Sequence, residues 1–361
     1  QAGQRTAGAM SALLCGVGAA PFGLAPLRDL PGLKLRCWSD LAAGAGADLR
    51  FFYADNIEFD RYGGSLVDHG FNYLHVPKSG GRPRGVWGLS DRGIFEDILR
   101  DLEPRSSHVG SPPSLRVRGV LTLSTHSPYD APDDMPAEAR DRAYSLAAKS
   151  TADGTKQSHW VTISYLDQAL SEFVPTLIQA EIRAGYTPVL LLVGDHTSGA
   201  TVGKGHLPAA RIPAFWVFPA SVDRRLLQPV QRELDVRSWS QNDLARMILA
   251  LLDHSGTLRV LPSDARWHSM GGQSLSAGFA VLPPWQPARL WTIDTHARSR
   301  LLAPGGQVLA EDIAESPATR QHLDASAKPM DMALPGLSWL LQHPERVGLC
   351  GAAAPAASSG P

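Results

Sequence analysis

Short runs of β-branched, aromatic and leucine residues, each bounded by Gly, Pro, Asp or Ser, alternate along the chain with stretches in which apolar residues recur every three or four positions. That alternation predicts an α/β domain. Strands are expected at Leu49 to Ala54, Arg116 to Ser124, Pro188 to Val193 and Ile212 to Phe218. The run Pro188-Val-Leu-Leu-Leu-Val193 is apolar on both faces, which predicts a central parallel strand covered by helices above and below. Helical spacing links Ile94, Ile98 and Leu99; Ile163, Leu166, Leu170, Phe173 and Leu177; and Leu244, Met247, Ile248 and Leu251. Pro175 is expected to kink or restart the second of these helices.

Past residue 255 the texture changes to short runs with Gly and Pro punctuation, at Thr257 to Leu261, Gly278 to Leu282 and Arg289 to Ile293, with no long helix before Leu337 to Gln342. This predicts an antiparallel β appendage. The expected organisation is a core over residues 1–255, a β-rich subdomain over 256–348 and a disordered Ala/Pro/Ser/Gly tail over 349–361.

Composition narrows the class. Hydrophobic residues make 43% of the 361 and charged residues 19%, which excludes a wholly disordered chain. Lys and Arg number 34 against 35 Asp and Glu, so the net charge of −1 gives no long-range attraction to nucleic acid or an anionic membrane. Any anion must be held locally. Cys15, Cys37 and Cys350 form no C-x-x-C, so neither a disulfide framework nor a thiolate zinc site is expected to organise the fold. The apolar stretch from Ala7 to Leu27 is broken by Gly16, Gly18, Pro21, Gly23 and Pro26 and cannot span a membrane as one helix. There is no Walker A, no G-x-G-x-x-G and no G-x-S-x-G; Gly63-Gly-Ser65 lacks the second flanking Gly.

Three predicted strands run into polar clusters: Phe51-Phe-Tyr-Ala-Asp55 continues to Arg61, Leu121-Thr-Leu-Ser-Thr-His126 to Tyr129, and Leu191-Leu-Val-Gly-Asp-His196 to Ser198. Ligands of open α/β sheets bind beyond the carboxyl ends of strands. If the strands are parallel neighbours, Asp55, Arg61, His126, Asp195 and His196 share one crevice. A carboxylate and an imidazole can ligate a divalent cation, while Arg and a second imidazole can hold phosphate or sulfate oxygens. Each piece also has a plainer reading: Asp195 as a helix cap, His126-Ser-Pro128 as a turn, Asp55 and Arg61 as a surface ion pair. His206 and Lys204 read more simply as loop residues. His69, His75, His159 and His268 have no ligand spacing.

The order of these segments resembles the sulfatase-like branch of the alkaline phosphatase superfamily, and within it the lipoteichoic acid synthase and phosphoglycerol transferase group. Gly194-Asp-His196 is similar to that group's metal motif and Thr125-His-Ser-Pro-Tyr129 to its Asn/Thr-His-x-Pro-Phe substrate motif. Gly85-Val-Trp-Gly-Leu-Ser-Asp91 with Phe95 resembles its Trp-Gly-x-x-Asp segment, and Tyr165-Leu-Asp167 with Phe173 its Tyr-x-Asp helix. Arg211-Ile-Pro213 and Gln241-Asn-Asp243 complete the series. Tyr53 stands where this group often has a His. The resemblance implies a three-layer α/β/α sandwich with a mixed, mostly parallel sheet and the small C-terminal antiparallel appendage.

It further implies Asp195 and His196 as ligands of a divalent metal, Mn or Zn, with Asp55, Arg61 and His126 binding the substrate and Arg61 and His126 assisting catalysis. The implied reaction is in-line attack by a Thr or Ser in a phosphoglycerol or phosphoethanolamine-type transferase, or a sulfatase-like hydrolase. The substrate would be an anionic lipid headgroup or glycan at the extracytoplasmic face of a bacterial inner membrane. Gly3-Gln-Arg-Thr6 resembles a stretch that follows the nucleophile and first acidic ligand, with Ala7 and Gly8 replacing its last residues. Both groups, and a membrane anchor, are therefore expected upstream of Gln1; Thr6 and Ser11 are the nearby hydroxyls. By itself the chain is expected to be inactive. The alternative is a non-catalytic protein of this fold that binds an anionic glycan or headgroup.

Overall fold

The computed structural model describes residues 5–17, 25–31, 35, 37–77, 81–103, 113–196, 212–228, 230–231 and 241–257, and the backbone of four strands within 277–311. Two compact units divide the chain: residues 39–228 with 252–259, and residues 1–38 with 229–251 and 260–361.

At the centre of the first unit is β1 (Asp48–Tyr53). Alternate residues of a strand face opposite sides, and here both sides bury apolar residues: Leu49, Phe51 and Tyr53 on one, Phe52 and Ala54 on the other. β1 pairs in parallel with β2 (Tyr73–His75) and β5 (Arg116–Leu121), giving the order β2-β1-β5. The Phe52 side is covered by α5 (Asp91–Leu102) and α7 (Gly154–Arg183), whose Phe95 and Phe173 stack with centroids 4.3 Å apart. Phe51 meets Phe71 edge to face on the other side. A Cβ at Gly119 of β5 would lie 2.6 Å from the Phe51 ring, so glycine there is the space in which that ring packs.

Sequence signals set the helix limits. The Ser90 hydroxyl caps α5 by accepting from Gly93 N (3.2 Å), and the Asp153 carboxylate caps α7 by accepting from Thr155 N (3.0 Å) and Lys156 N (3.3 Å). α7 continues through Pro175 rather than restarting. Pro175 is exposed, so the carbonyl it deprives of a partner is open to water. The same unit contains α4 (Tyr62–Asp68), the hairpin β3 (Arg84–Gly85) and β4 (Gly88–Leu89), and α6 (Ala137–Ser150).

One strand differs from expectation. β6 (Leu190–Val193) pairs antiparallel with β7 (Ala214–Val217), and its residues are only half-buried. Among the described residues it is not a central parallel strand. An apolar run reports burial and carries no information about strand direction.

The second unit contains α1 (Thr6–Cys15) and α2 (Pro26–Asp29), and the Cys15–Cys37 disulfide links the last residue of α1 to a residue beyond α2. Ser11 Oγ donates to Ala7 O (2.9 Å) and accepts from Leu27 N (3.3 Å), and Trp38 Nε1 donates to Leu13 O (2.9 Å). The strands β8 (Ala277–Leu282), β9 (Arg289–Asp294), β10 (Ser299–Leu302) and β11 (Val308–Glu311) form an antiparallel meander, as the texture of this region predicts. α3 (Trp38–Gly44) and α8 (Gln241–His254) each span a division between units. The expected run Thr257 to Leu261 beyond its first residue, the helix at Leu337 to Gln342 and the tail lie outside the described residues. No described helix is long and apolar enough to cross a membrane.

Candidate functional site

The parallel register sets Tyr53 opposite Leu121, so the loops following β1 and β5 leave the same edge of the sheet. The first carries Asp55, half-buried, and then turns through Asp60 and Arg61 at φ 49° and 58° into α4. Left-handed backbone costs a residue with a side chain about 1–2 kcal/mol, and such conformations concentrate where function positions a group. Arg61 is exposed. Tyr53 is buried against Tyr62, and burial, with the charges of Asp55 and Asp60, pushes its phenol up to about 12. Its phenol therefore stays protonated in the physiological range.

The β3–β4 hairpin closes on this loop. Leu89 N donates to Ala54 O (3.0 Å), and a Cβ at Gly88 would stand 2.2 Å from that oxygen and 3.2 Å from the Asp55 Cβ. Only glycine permits the approach.

The loop after β5 is held from beneath. The Asp91 carboxylate, fully buried at the start of α5, accepts from Leu123 N (2.8 Å) and Ser124 N (3.2 Å). Burial raises its pKa against the lowering effect of the hydrogen bonds from Ser124 and the backbone. Beyond it, His126 is exposed, and its ring meets the Trp87 ring edge to face at 4.8 Å. Trp87 Nε1 donates to Ser127 O (2.7 Å), and His126 Nδ1 lies 2.7 Å from the same oxygen. The Ser127–Pro128 bond is cis, and Tyr129 (φ 67°) packs against His159, whose pKa burial lowers. His126, Trp87, Leu89, Ser90, Ser124 and Asp130 line one cleft.

Asp195 and His196 follow β6 and are half-buried. His196 N donates to Asp195 Oδ1 (2.8 Å), and His196 Nε2 lies 3.3 Å from Asp195 Oδ2. Two ligand atoms about 2.0–2.1 Å from a shared ion in tetrahedral arrangement stand about 3.3 Å apart, so the pair fits adjacent corners of one cation's shell. The structure thus brings the sequence-predicted residues into two groups: Asp55 and His126 around the hairpin, and Asp195 with His196. Arg61 ends the turn that begins at Asp55. Ser11 serves the α1–α2 packing described above, while Lys204, His206, Arg211 and His268 lie outside the described residues.

Two contributors escaped sequence reasoning. The Asp134 carboxylate accepts from Ser90 Oγ and Tyr165 Oη, both at 2.8 Å, joining α5 and α7 beneath the cleft; nothing in its Pro-flanked acidic segment marks it. The Trp87 contact with Ser127 spans 40 residues, beyond any periodicity.

Comparison with known proteins places this geometry. A protein in the alkaline phosphatase superfamily from Vibrio parahaemolyticus superposes with a TM-score of 0.61, at 17% identity, over 95% of this chain and 77% of that one. The lipoteichoic acid synthase LtaP from Listeria monocytogenes gives 0.60 at 14% identity, over 97% and 82%. The fold is that of the alkaline phosphatase superfamily. No family model and no curated protein matches the sequence. In this alkaline-phosphatase-like fold, the edge bearing Asp55 and His126 lies at the carboxyl ends of the parallel strands β1 and β5, whereas β6, which leads to Asp195 and His196, pairs only with β7 among the described residues.

Proposed function

We propose that this chain is a sulfatase-like phosphotransferase domain that handles an anionic headgroup of the phosphoglycerol or phosphoethanolamine type. The observation that carries the reading is the Asp195–His196 pair, whose 3.3 Å spacing and mixed oxygen and nitrogen donors suit one Mn²⁺ or Zn²⁺. A bound cation supplies charge stabilisation at phosphoryl oxygens. Arg61 would offer a guanidinium to phosphate oxygens, and Asp55 and His126 would contact the headgroup. The name of the Listeria neighbour, a lipoteichoic acid synthase, suggests a lipid-linked glycerol phosphate as the substrate class. The Cys15–Cys37 disulfide supports an oxidising, extracytoplasmic setting.

Calorimetric titration of the full chain with Mn²⁺ and Zn²⁺ tests the reading. Saturable binding is expected for the wild type and not for Asp195→Ala; equal affinity in both would remove the assignment. Glycerol phosphate, titrated into the metal-loaded chain, is expected to bind at least tenfold more weakly to Arg61→Ala, the effect of losing a charge-assisted hydrogen bond of roughly 1.5–3 kcal/mol. Metal-dependent turnover of a p-nitrophenyl phosphodiester, abolished by Asp195→Ala, would locate a nucleophile within the sequence.

A further inference from the structure

We propose that Trp87 is a positioning residue that, through the Ser127 carbonyl, locks His126 in one tautomer. The carbonyl oxygen can only accept. At 2.7 Å from His126 Nδ1 it therefore requires that nitrogen to carry the proton. In the neutral ring the other nitrogen, Nε2, is then an acceptor. The carbonyl does not stand alone, because Trp87 Nε1 donates to it at 2.7 Å, and the two rings meet at 81° with centroids 4.8 Å apart. One oxygen thus receives two N–H groups, which its two lone pairs can accommodate. The indole fixes the carbonyl and walls the imidazole, so the ring cannot turn over without losing both contacts.

This deepens the proposed function by assigning a polarity to the cleft. A neutral His126 of this tautomer offers a lone pair, which suits a hydroxyl that donates; a phosphate oxygen would need a donor. His126 accordingly faces the polyol part of the headgroup, and the phosphoryl oxygens fall to Arg61.

Two-bond ¹H–¹⁵N correlation spectra of the ligand-free full chain read the tautomer directly, at about pH 8, above the ordinary imidazole titration. A His126→Gln variant identifies the signals. The Nδ1–H form is expected to dominate in the wild type. Trp87→Phe keeps an aromatic ring and deletes only the N–H; by freeing the carbonyl to move it is expected to shift the tautomer ratio measurably toward Nε2–H, with about fivefold, the worth of one neutral hydrogen bond, as the upper limit. A wild-type ring that is mainly Nε2–H, or an unchanged ratio in Trp87→Phe, overturns the proposal. The wild-type spectrum decides the tautomer even if the variant does not fold. Because no metal or substrate is added, the outcome is separate from that of the metal titration.

Discussion

Asp60 and Arg61 carry side chains in a backbone region that favours glycine, and the turn they form delivers the guanidinium to the end of β1. Stability and binding are therefore expected to part company here. Arg61→Gly removes the left-handed penalty and should leave the fold unchanged or more stable by up to about 1 kcal/mol, while glycerol phosphate binding falls; urea unfolding beside calorimetry measures both. A large loss of stability would mean that the side chain props the turn. Gly88 presents the opposite case. The atom its Cβ would strike is the Ala54 carbonyl oxygen, which is backbone and cannot swing aside. Gly88→Ala should cost about 1–3 kcal/mol by overpacking and weaken the Leu89 to Ala54 hydrogen bond, visible as faster amide exchange at Leu89. Neither residue's role could be read from composition. Both depend on the distance between two loops that the chain order leaves apart.

Among the elements, β1 and β5 are joined at their amino ends by charges as well as by the ladder. Arg50 bonds Asp48 (3.0 Å) and Asp101 of α5 (2.6 Å), while Arg118 bonds Asp48 (3.0 Å) and approaches Asp101 (3.1 Å). Burial opposes ionisation of Asp48, but the bonded Arg50 and the charge of Arg118 prevail and hold its carboxyl below the ordinary aspartate value. A folded-state pKa below the unfolded one means that unfolding takes up a proton. Asp48 therefore stabilises the fold above pH 3.8, and this contribution is lost as pH falls through the folded value. Asp48→Asn should be less stable near neutrality and show a shallower loss of stability in acid; parallel acid dependence of mutant and wild type would contradict the assignment. The elements legible in sequence were those with an apolar pattern of their own: β1, β5 and β7 from their runs, α5, α7 and α8 from three- and four-residue steps. α6 was not, because it buries little more than Ala143 and Ala147. The direction of β6 was not, because pairing is a property of two strands. Asp55, His126, Asp195 and His196 could be named as candidates because the strand ends they follow could be located in the sequence. The Trp87 contact and the Asp134 bridge arise only once β4, β5 and α7 are assembled.

The molecule as a whole carries one covalent link that composition gave no reason to expect, since three cysteines without a spacing motif leave the pairing open. Cys15 and Cys37 are separated by 22 residues, and they join the end of α1 to the residue before α3. Closing a loop of that size restricts the unfolded chain by about 3 kcal/mol in the chain-entropy account. Both cysteines are buried, so native reductant reaches them slowly, and full reduction requires partial opening. After reduction the melting transition of the unit containing residues 1–38 should move down by roughly 6–12 °C, taking about 2–4 °C per kcal/mol for a domain of this size. The double variant Cys15→Ser, Cys37→Ser should melt at the reduced protein's temperature and no longer respond to dithiothreitol. Thiol counting in denaturant supplies the chemical control, with one reactive thiol of three expected before reduction and three after. Three thiols in protein exported to an oxidising compartment would show that the link does not form there. The disulfide would then no longer support the proposed extracytoplasmic setting.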